Sequence, residues 1–250
     1  MQSRRNVKKG KVRRKDSPKL DLAIQWSIRM DQWSSRMIAI VSLLLLLLVG
    51  FSYYDMYRFT HEGMNSVEYR SFEELRKINP DVVAWLTLDG TAIDHPVVQG
   101  KDNFEYLDKD FYGKDYAGGT LFLDEQCSSD FEDEYQVIHG HHMAGGTMFG
   151  DLKKYLQKDF FQENQTGQLL TPTQNYNLEI LGVGLFDAYD TKLYRIDGKM
   201  SRPLQAFEKC KWRNNQKPGV NEKLLALSTC SGDMDDRRIV LFCAMKKRSN

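Results

Sequence analysis

The chain has 250 residues with a formal net charge of +1, and 41% of its residues are hydrophobic. The small net charge hides an asymmetry, because residues 1–36 carry 11 Lys/Arg against 3 Asp/Glu, whereas the remainder carries 24 against 31. Four cysteines without a CxxC or other metal-ligand spacing argue against a cysteine metal site, and a domain of this size needs no disulfide framework. We therefore expect no structural disulfide.

The N-terminal part combines a basic tail with an apolar run. Residues 37–54 are 18 residues without a charge, close to the roughly 20 that span a bilayer. Trp33 precedes the run and Tyr53 and Tyr54 end it, as in an interfacial aromatic belt. A buried core helix is the alternative, but the leucine run has no polar face. Nucleic-acid binding by the tail is disfavoured next to such a run.

The charge distribution orients this segment. Positive charge on the N-terminal side favours a cytoplasmic N-terminus, and no clean cleavage site follows the apolar run. We expect a cytoplasmic basic tail at 1–36, an uncleaved transmembrane signal-anchor at 37–54, a linker at 55–70 and an extracellular domain at 71–250. The expected location is the plasma membrane, with a single pass.

Short strand-like runs separated by Gly, Asn and Asp turns dominate the rest. Ser71 with Glu74 three residues later is a capping-box pattern and predicts a short helix that ends before Pro80. Helical spacing predicts further helices over 147–161 and 202–212. Strands are predicted at 82–88, 92–99, 120–124, 135–139, 168–171, 176–188, 224–230 and 237–246. This pattern indicates a mostly β fold, a closed or nearly closed β-barrel.

Two stretches carry candidate chemistry. One apolar run ends in Cys230, and after a polar turn a second run opens with Arg237 and Arg238. If the runs are neighbouring strands, an arginine faces the cysteine, and a cation beside a thiol makes it a better nucleophile. A buried structural cysteine beside solvated arginines is the alternative.

The second stretch is a strand that ends in Gly140 and is followed by His141 and His142. An imidazole near a thiol can form an ion pair with the thiolate or return a proton to a leaving amine. There are three alternatives for His139, His141 and His142. They could be metal ligands, structural histidines or an exposed pH-sensitive patch. A metal site lacks a Cys or carboxylate partner at ligand spacing.

The motifs together resemble those of a class B sortase. They are GHHM at 140–143, GTMF at 146–149, LSTC at 227–230, RRIV at 237–240, PVVQGKDN at 96–103, YLDKDFYG at 106–113 and GTLFLD at 119–124. The resemblance covers about residues 70–247 and the N-terminal anchor. It implies a closed eight-stranded barrel with N-terminal helices and an extra helix before the last two strands, for which 202–212 is the candidate.

The resemblance also implies an activity. Such enzymes are membrane-anchored transpeptidases on the outer face of a Gram-positive-type cell. They cleave a C-terminal sorting signal between Thr and the next residue through a thioacyl intermediate. They then join the protein to an amine of a cell-wall precursor or a pilin. The expected partners are therefore surface proteins with sorting signals, the amine and the membrane, with no nucleic acid, cofactor or metal.

Residue roles follow from the matching motifs. Cys230 is the expected nucleophile, His141 the catalytic histidine and Arg238 the third member of the triad, with Arg237 as the one-residue alternative. The expected substrate-binding residues are Ser228, Thr229, Asn103, Leu107 and Tyr194. Ser228 as a barrel-facing strand residue remains open. Of the other thiols, Cys127 in a polar loop is expected to be the most reactive by accident, and Cys243 is expected to be buried.

Two other functions remain as alternatives. A sortase-like binding or assembly module without turnover predicts a broken triad, whereas this triad is complete in sequence. A simple cysteine endopeptidase of the papain type places its Cys before its His, whereas His141 precedes Cys230 by 89 positions here.

Overall fold

The computed structural model describes residues 18–61, 71–197, 199–214, 217–219, 222–230 and 236–248, and of Cys230 it describes the backbone. The chain divides into two units, residues 1–57 and 58–250. Residues 1–17 of the predicted tail, residues 62–70 of the predicted linker and the turn at 231–235 lie outside the described residues.

One long helix, α1 (Pro18–His61), lies mostly in the N-terminal unit. Its part Gln25–Tyr54 contains an 18-residue window with a mean hydropathy of 2.3 that is not buried against the protein. By length and composition, it is the one helix in the described ranges that could cross a membrane. The helix extends beyond the apolar stretch 37–54 on both sides, since helical hydrogen bonding continues into the flanking polar residues.

The second unit begins with α2 (Phe72–Ile78), as the capping pattern predicts. The Ser71 hydroxyl accepts a hydrogen bond from the backbone N–H of Glu74 at 3.3 Å, which satisfies a free helix-terminal donor. Leu75 is the buried residue of this helix, in a small cluster that includes Trp85 and Phe122.

Nine strands follow in the described ranges. They are β1 (Val82–Leu88), β2 (Asp94–Val98), β3 (Leu121–Leu123), β4 (Tyr135–His139), β5 (Thr166–Leu170), β6 (Tyr176–Asp187), β7 (Trp212–Arg213), β8 (Lys223–Cys230) and β9 (Arg237–Lys247). The sheet order is β5-β1-β2-β3-β4-β8-β9-β6-β7, and β5 also pairs with β6. That extra pairing closes eight of these strands into a barrel, with the two-residue β7 added beside β6. The closed eight-stranded barrel and the mostly β fold class are confirmed.

Two strand pairs are parallel, β2 with β3 and β4 with β8, and the remaining pairs are antiparallel. One continuous apolar core packs against both faces of the barrel wall, and β8 and β9 contribute residues such as Leu227, Leu241 and Phe242 to it. Burial of this apolar surface is the main stabilising term of the domain.

Two helix predictions were wrong in extent. Over 147–161 the chain forms a 3-10 helix (Gly150–Leu156) and then α3 (Lys158–Glu163), because Gln157 between them is extended, with φ −91° and ψ 130°. Over 202–212 the helix α5 (Ser201–Phe207) ends early, because Trp212 pairs with Val183 as part of β7. The short helix α4 (Thr191–Tyr194) was not predicted. The expected helix before the last two barrel strands is thus present and short.

Candidate active site

Parallel pairing of β4 with β8 brings the two predicted catalytic stretches to one rim of the barrel. His139 is the register partner of Ser228, and the N–H of Gly140 donates to the Ser228 carbonyl at 3.1 Å. Parallel neighbours end at the same edge of a sheet. His141, two residues beyond His139, and Cys230, two residues beyond Ser228, therefore follow adjacent strand ends.

Antiparallel pairing of β8 with β9 distinguishes the two arginines. Arg238 stands directly opposite Cys230 in the register. Arg237 is exposed, and its partner is Asp187 on β6. Arg238 is half-buried and lines a cavity at this rim, which Arg237 does not.

The cavity has a volume of about 420 Å³. Six of the eight residues predicted as catalytic or substrate-binding line it: His141, Arg238, Ser228, Asn103, Leu107 and Tyr194. The register places the Cys230 backbone beside it. Thr229 is 1% exposed and is not among the lining residues, and its hydroxyl has no hydrogen-bond partner within the described ranges.

The His141 ring is fixed by the loop opposite. Its Nε2 lies 2.6 Å from the carbonyl oxygen of Leu107. A carbonyl oxygen can only accept, so Nε2 carries a proton and donates it. The backbone of His141 is held as well, because the N–H of Phe149 donates to its carbonyl at 3.0 Å.

Tyr194 and Ser228 form the contact between the two sides of the cavity. Their hydroxyl oxygens lie 2.8 Å apart, and Ser228 is 2% exposed. Two of the expected substrate-binding residues, Tyr194 and Ser228, are thus in direct contact. Ser228 lines the cavity although it is a buried residue of β8, so its role as a substrate contact or as a barrel-facing strand residue stays a prediction.

Asp124 was not predicted as a site residue, and His139 was considered only as a metal ligand, a structural histidine or part of an exposed patch. Both line the cavity, and His139 Nε2 lies 2.9 Å from Asp124 Oδ2. Burial disfavours the charged form of Asp124, but the hydrogen bond and charge of His139 and further donors outweigh it and lower the pKa of this carboxyl. The sequence offered one signal for Asp124, namely an aspartate directly after the apolar strand β3. The pairing of β3 with β4, which brings Asp124 to His139, cannot be read from the sequence alone.

The other described thiols are free and shielded. Cys127 is 6% exposed, its sulfur accepts from the N–H of Val137, and burial raises its pKa to about 12. The expectation that Cys127 is reactive was therefore wrong, because its loop folds the side chain inward. Burial raises the pKa of Cys210 to about 12, and it raises that of the buried Cys243 as well.

Metal ligation finds no support in the part of the chain that the structure describes, since no group of three His, Cys, Asp or Glu side chains there could hold an ion. The acidic run before β4 is divided among separate partners. Asp130 accepts from the Ser128 hydroxyl, and Glu132 pairs with Lys223 at 2.9 Å.

Comparisons with known proteins identify relatives. No family model matches the chain. The sortase B of Listeria monocytogenes is 33% identical over 171 residues, 65% of this chain and 68% of that protein. The sortase B of Staphylococcus aureus is 30% identical over 189 residues, 71% of this chain and 75% of that protein.

Solved structures agree. A class B sortase of Streptococcus pyogenes involved in pilus biogenesis has a TM-score of 0.64 and 36% identity, covering 70% of this chain and 97% of that one. Sortase B of Clostridium perfringens has a TM-score of 0.63 and 30% identity, covering 69% and 98%. A Staphylococcus aureus sortase B–substrate complex has a TM-score of 0.65 and 26% identity, covering 78% and 92%. With this barrel, this cavity and these relatives, the chain belongs to the class B sortases, a family of cysteine transpeptidases.

Proposed function

We propose that this chain is a membrane-anchored transpeptidase that cleaves a C-terminal sorting signal after Thr and joins the new carboxyl end to an amine. The register around β8 carries the proposal: Cys230 stands opposite Arg238, and His141 follows the parallel neighbour β4. His141 and Arg238 line one cavity, and a thiol at position 230 would complete a set of residue types suited to thiol acyl transfer.

In the first half-reaction, the Cys230 thiolate attacks the Thr carbonyl carbon and forms a carbon–sulfur bond. Arg238 donates hydrogen bonds to the carbonyl oxygen as it becomes an oxyanion. The carbon–nitrogen bond then breaks while the His141 imidazolium gives a proton to the leaving amine. The product is a thioacyl enzyme and a neutral imidazole.

In the second half-reaction, an incoming amine attacks the thioester and gives its proton to His141. The carbon–sulfur bond breaks, which restores thiolate and imidazolium. The Leu107 carbonyl supports this role, since it accepts from Nε2 at 2.6 Å and leaves Nδ1 of His141 for proton exchange. Two steps through one covalent intermediate predict ping-pong kinetics.

Anchoring is proposed from the N-terminal unit. The helix Gln25–Tyr54 provides the apolar length, and the excess of Lys/Arg in residues 1–36 favours a cytoplasmic N-terminus. The catalytic domain then faces outward at the plasma membrane, where surface proteins with sorting signals pass. The amine belongs to a peptidoglycan precursor or a pilin.

The test is cleavage of fluorogenic peptides that carry Asn-Pro-x-Thr-Asn or Pro-Pro-x-Thr-Gly, with and without an added amine. A transpeptidase forms an amine-linked product, detected by mass spectrometry. An endopeptidase releases only the hydrolysed acid whether or not amine is present, and a binding module cleaves nothing. Either of the last two results contradicts the proposal.

A further inference from the structure

Asp124 is a buried carboxylate in the lining of the cavity that the proposed chemistry does not use. It is 2% exposed, and it follows β3 at the point where the chain leaves the barrel. Burying a carboxylate is costly unless hydrogen bonds and charge compensate it. Its partners are therefore informative about what it does.

One oxygen of Asp124 binds the first wall of the cavity, which is the segment 101–107. Asn103 donates from Nδ2 to Oδ2 at 3.0 Å, and the Asn103 Oδ1 accepts from the N–H of Glu125 at 2.8 Å. Asn103 begins the turn that ends at Leu107, whose N–H donates to the Phe104 carbonyl. The same turn presents the Leu107 carbonyl to His141.

The other oxygen of Asp124 binds Gln126, which contacts the second wall of the cavity, the segment 190–197. Oδ1 accepts from the backbone N–H and the side-chain Nε2 of Gln126, at 2.9 and 3.2 Å. The Gln126 amide also donates to the carbonyl of Tyr194 and accepts from the N–H of Ile196, both at 3.3 Å. Tyr194 in turn contacts Ser228, two residues before Cys230.

His139 completes the arrangement between the walls. It donates from Nε2 to Asp124 Oδ2 at 2.9 Å. Its ring lies 5.2 Å from the Phe122 ring and 6.0 Å from the Tyr194 ring, tilted by 30° to each. The histidine therefore packs against the Tyr194 wall while it compensates the buried charge.

We infer that Asp124, with His139 beside it, is a positioning group that holds both cavity walls at a fixed separation and so sets how tightly the sorting peptide fits. This inference rests on the proposed function for the nature of the ligand. Asp124 acts through Asn103, Gln126 and His139 and need not touch the peptide. Because one carboxylate links both walls, its loss loosens both together.

The test compares variants of the full chain in detergent by two readouts. Hydrogen exchange of backbone amides reports the walls without any substrate, in segments 101–107 and 190–197. Steady-state kinetics with the two fluorogenic peptides of the proposed function reports their fit. Asp124→Asn keeps the shape and removes the charge, and Asp133→Asn is the matched control, since Asp133 caps the Ser128 N–H outside the cavity lining.

The inference predicts faster exchange in both segments for Asp124→Asn, with β8 and β9 unchanged. It also predicts a KM raised about tenfold, since loss of uniform binding acts on KM, together with a lower kcat, because the loosened turn presents the Leu107 carbonyl to His141. Gln126→Ala, at an exposed position, should loosen only 190–197, and His139→Phe should raise KM while it keeps the ring stacking. The Asp133→Asn control should match the wild type in both readouts.

Unchanged exchange in either wall of Asp124→Asn overturns the inference, as does a loss confined to kcat. If Asp124→Asn does not fold, Gln126→Ala tests the inference instead. Unchanged hydrogen exchange at 190–197 in Gln126→Ala would show that Gln126 does not hold this segment, and would overturn the inference. Failure of the wild type to process either peptide counts against the proposed function, while the exchange readout still decides the inference.

Discussion

The Nε2 of His141 donates a hydrogen bond to the Leu107 carbonyl oxygen at 2.6 Å, although the two residues are 34 positions apart in the chain. The acceptor is a backbone carbonyl, so its position depends on the residues that pack against this part of the chain. Gly119 lies there with φ +59°, and a Cβ at this position would come within 2.5 Å of the Leu107 oxygen. A glycine thus keeps open the place of the acceptor that orients the proposed catalytic histidine.

Substitution of this glycine should impair proton transfer. We expect Gly119→Ala to displace the Leu107 carbonyl and lower kcat for peptide cleavage by about tenfold or more, since general acid–base catalysis contributes roughly 10²–10⁴. The measurement is kcat, with nitrogen-15 histidine NMR to report the His141 tautomer. Gly113→Ala is the matched control, because Gly113 also has positive φ, +77°, with nothing within 4 Å of the added Cβ. Equal kcat values for the two variants would count against this role of Leu107.

The two arginines of β9 should differ sharply. Arg238 lines the cavity opposite Cys230, whereas Arg237 pairs in register with Asp187 and is exposed. Loss of one oxyanion-stabilising donor typically costs about 10²–10³ in kcat, which we expect for Arg238→Ala. Arg237→Ala should stay within about twofold of the wild type in the same peptide assay. The opposite ranking would transfer the role to Arg237.

Much of the fold follows from the sequence because barrel strands are short apolar runs between turn residues. The predicted runs 82–88 and 135–139 coincide with β1 and β4, and 224–230 differs from β8 by one residue. The helix over 202–212 was overextended, because a tertiary contact decided its end: the indole of Trp212 donates to the Leu156 carbonyl. Spacing within one segment cannot show such a partner.

Some residues of the candidate site could likewise be predicted from the sequence, and others could not. Local pattern and family motifs pointed to two positions at adjacent strand ends, His141 and Cys230, whose catalytic roles stay predictions. The Asp124–His139 pair was not, because it depends on Phe122 being the register partner of His139 across β3 and β4. Thr229 was expected to bind substrate with its neighbour Ser228, but strand alternation separates their side chains. Ser228 lines the cavity and Thr229 does not.

Thiol reactivity should be confined to one cysteine. Burial raises the pKa of both Cys127 and Cys210 to about 12, and Cys243 is fully buried. Because the thiolate is the reactive form, these three should react slowly with a thiol reagent at pH 7.5. We expect one rapid equivalent in the native wild type and none in Cys230→Ala, counted by intact mass after alkylation. A rapid equivalent that persists in Cys230→Ala would contradict this assignment.

His95 should make the barrel sensitive to mild acid. It is 4% exposed, and burial lowers its pKa from 6.5 to about 4, against the opposing charge and backbone hydrogen bonding of Asp94. Between these two values the unfolded chain binds a proton that the folded chain does not, so stability falls as pH falls through this window.

The variant His95→Leu should lose less stability than the wild type between pH 8 and pH 5. The expected difference is about 2 kcal/mol, at 1.36 kcal/mol per pKa unit over the upper part of the window. Urea unfolding of the full chain in detergent, followed by near-ultraviolet circular dichroism at both pH values, measures it. Equal pH dependence of wild type and variant would show that His95 does not titrate on unfolding.

The most direct test of the account is mass spectrometry of the wild type and Cys230→Ala with a sorting peptide and an amine. The account predicts a thioacyl adduct on the wild type, which added amine converts into an amine-linked peptide. It predicts neither species with Cys230→Ala, whose thermal stability should match that of the wild type. An amine-linked product formed by Cys230→Ala at a rate comparable with the wild type would contradict it.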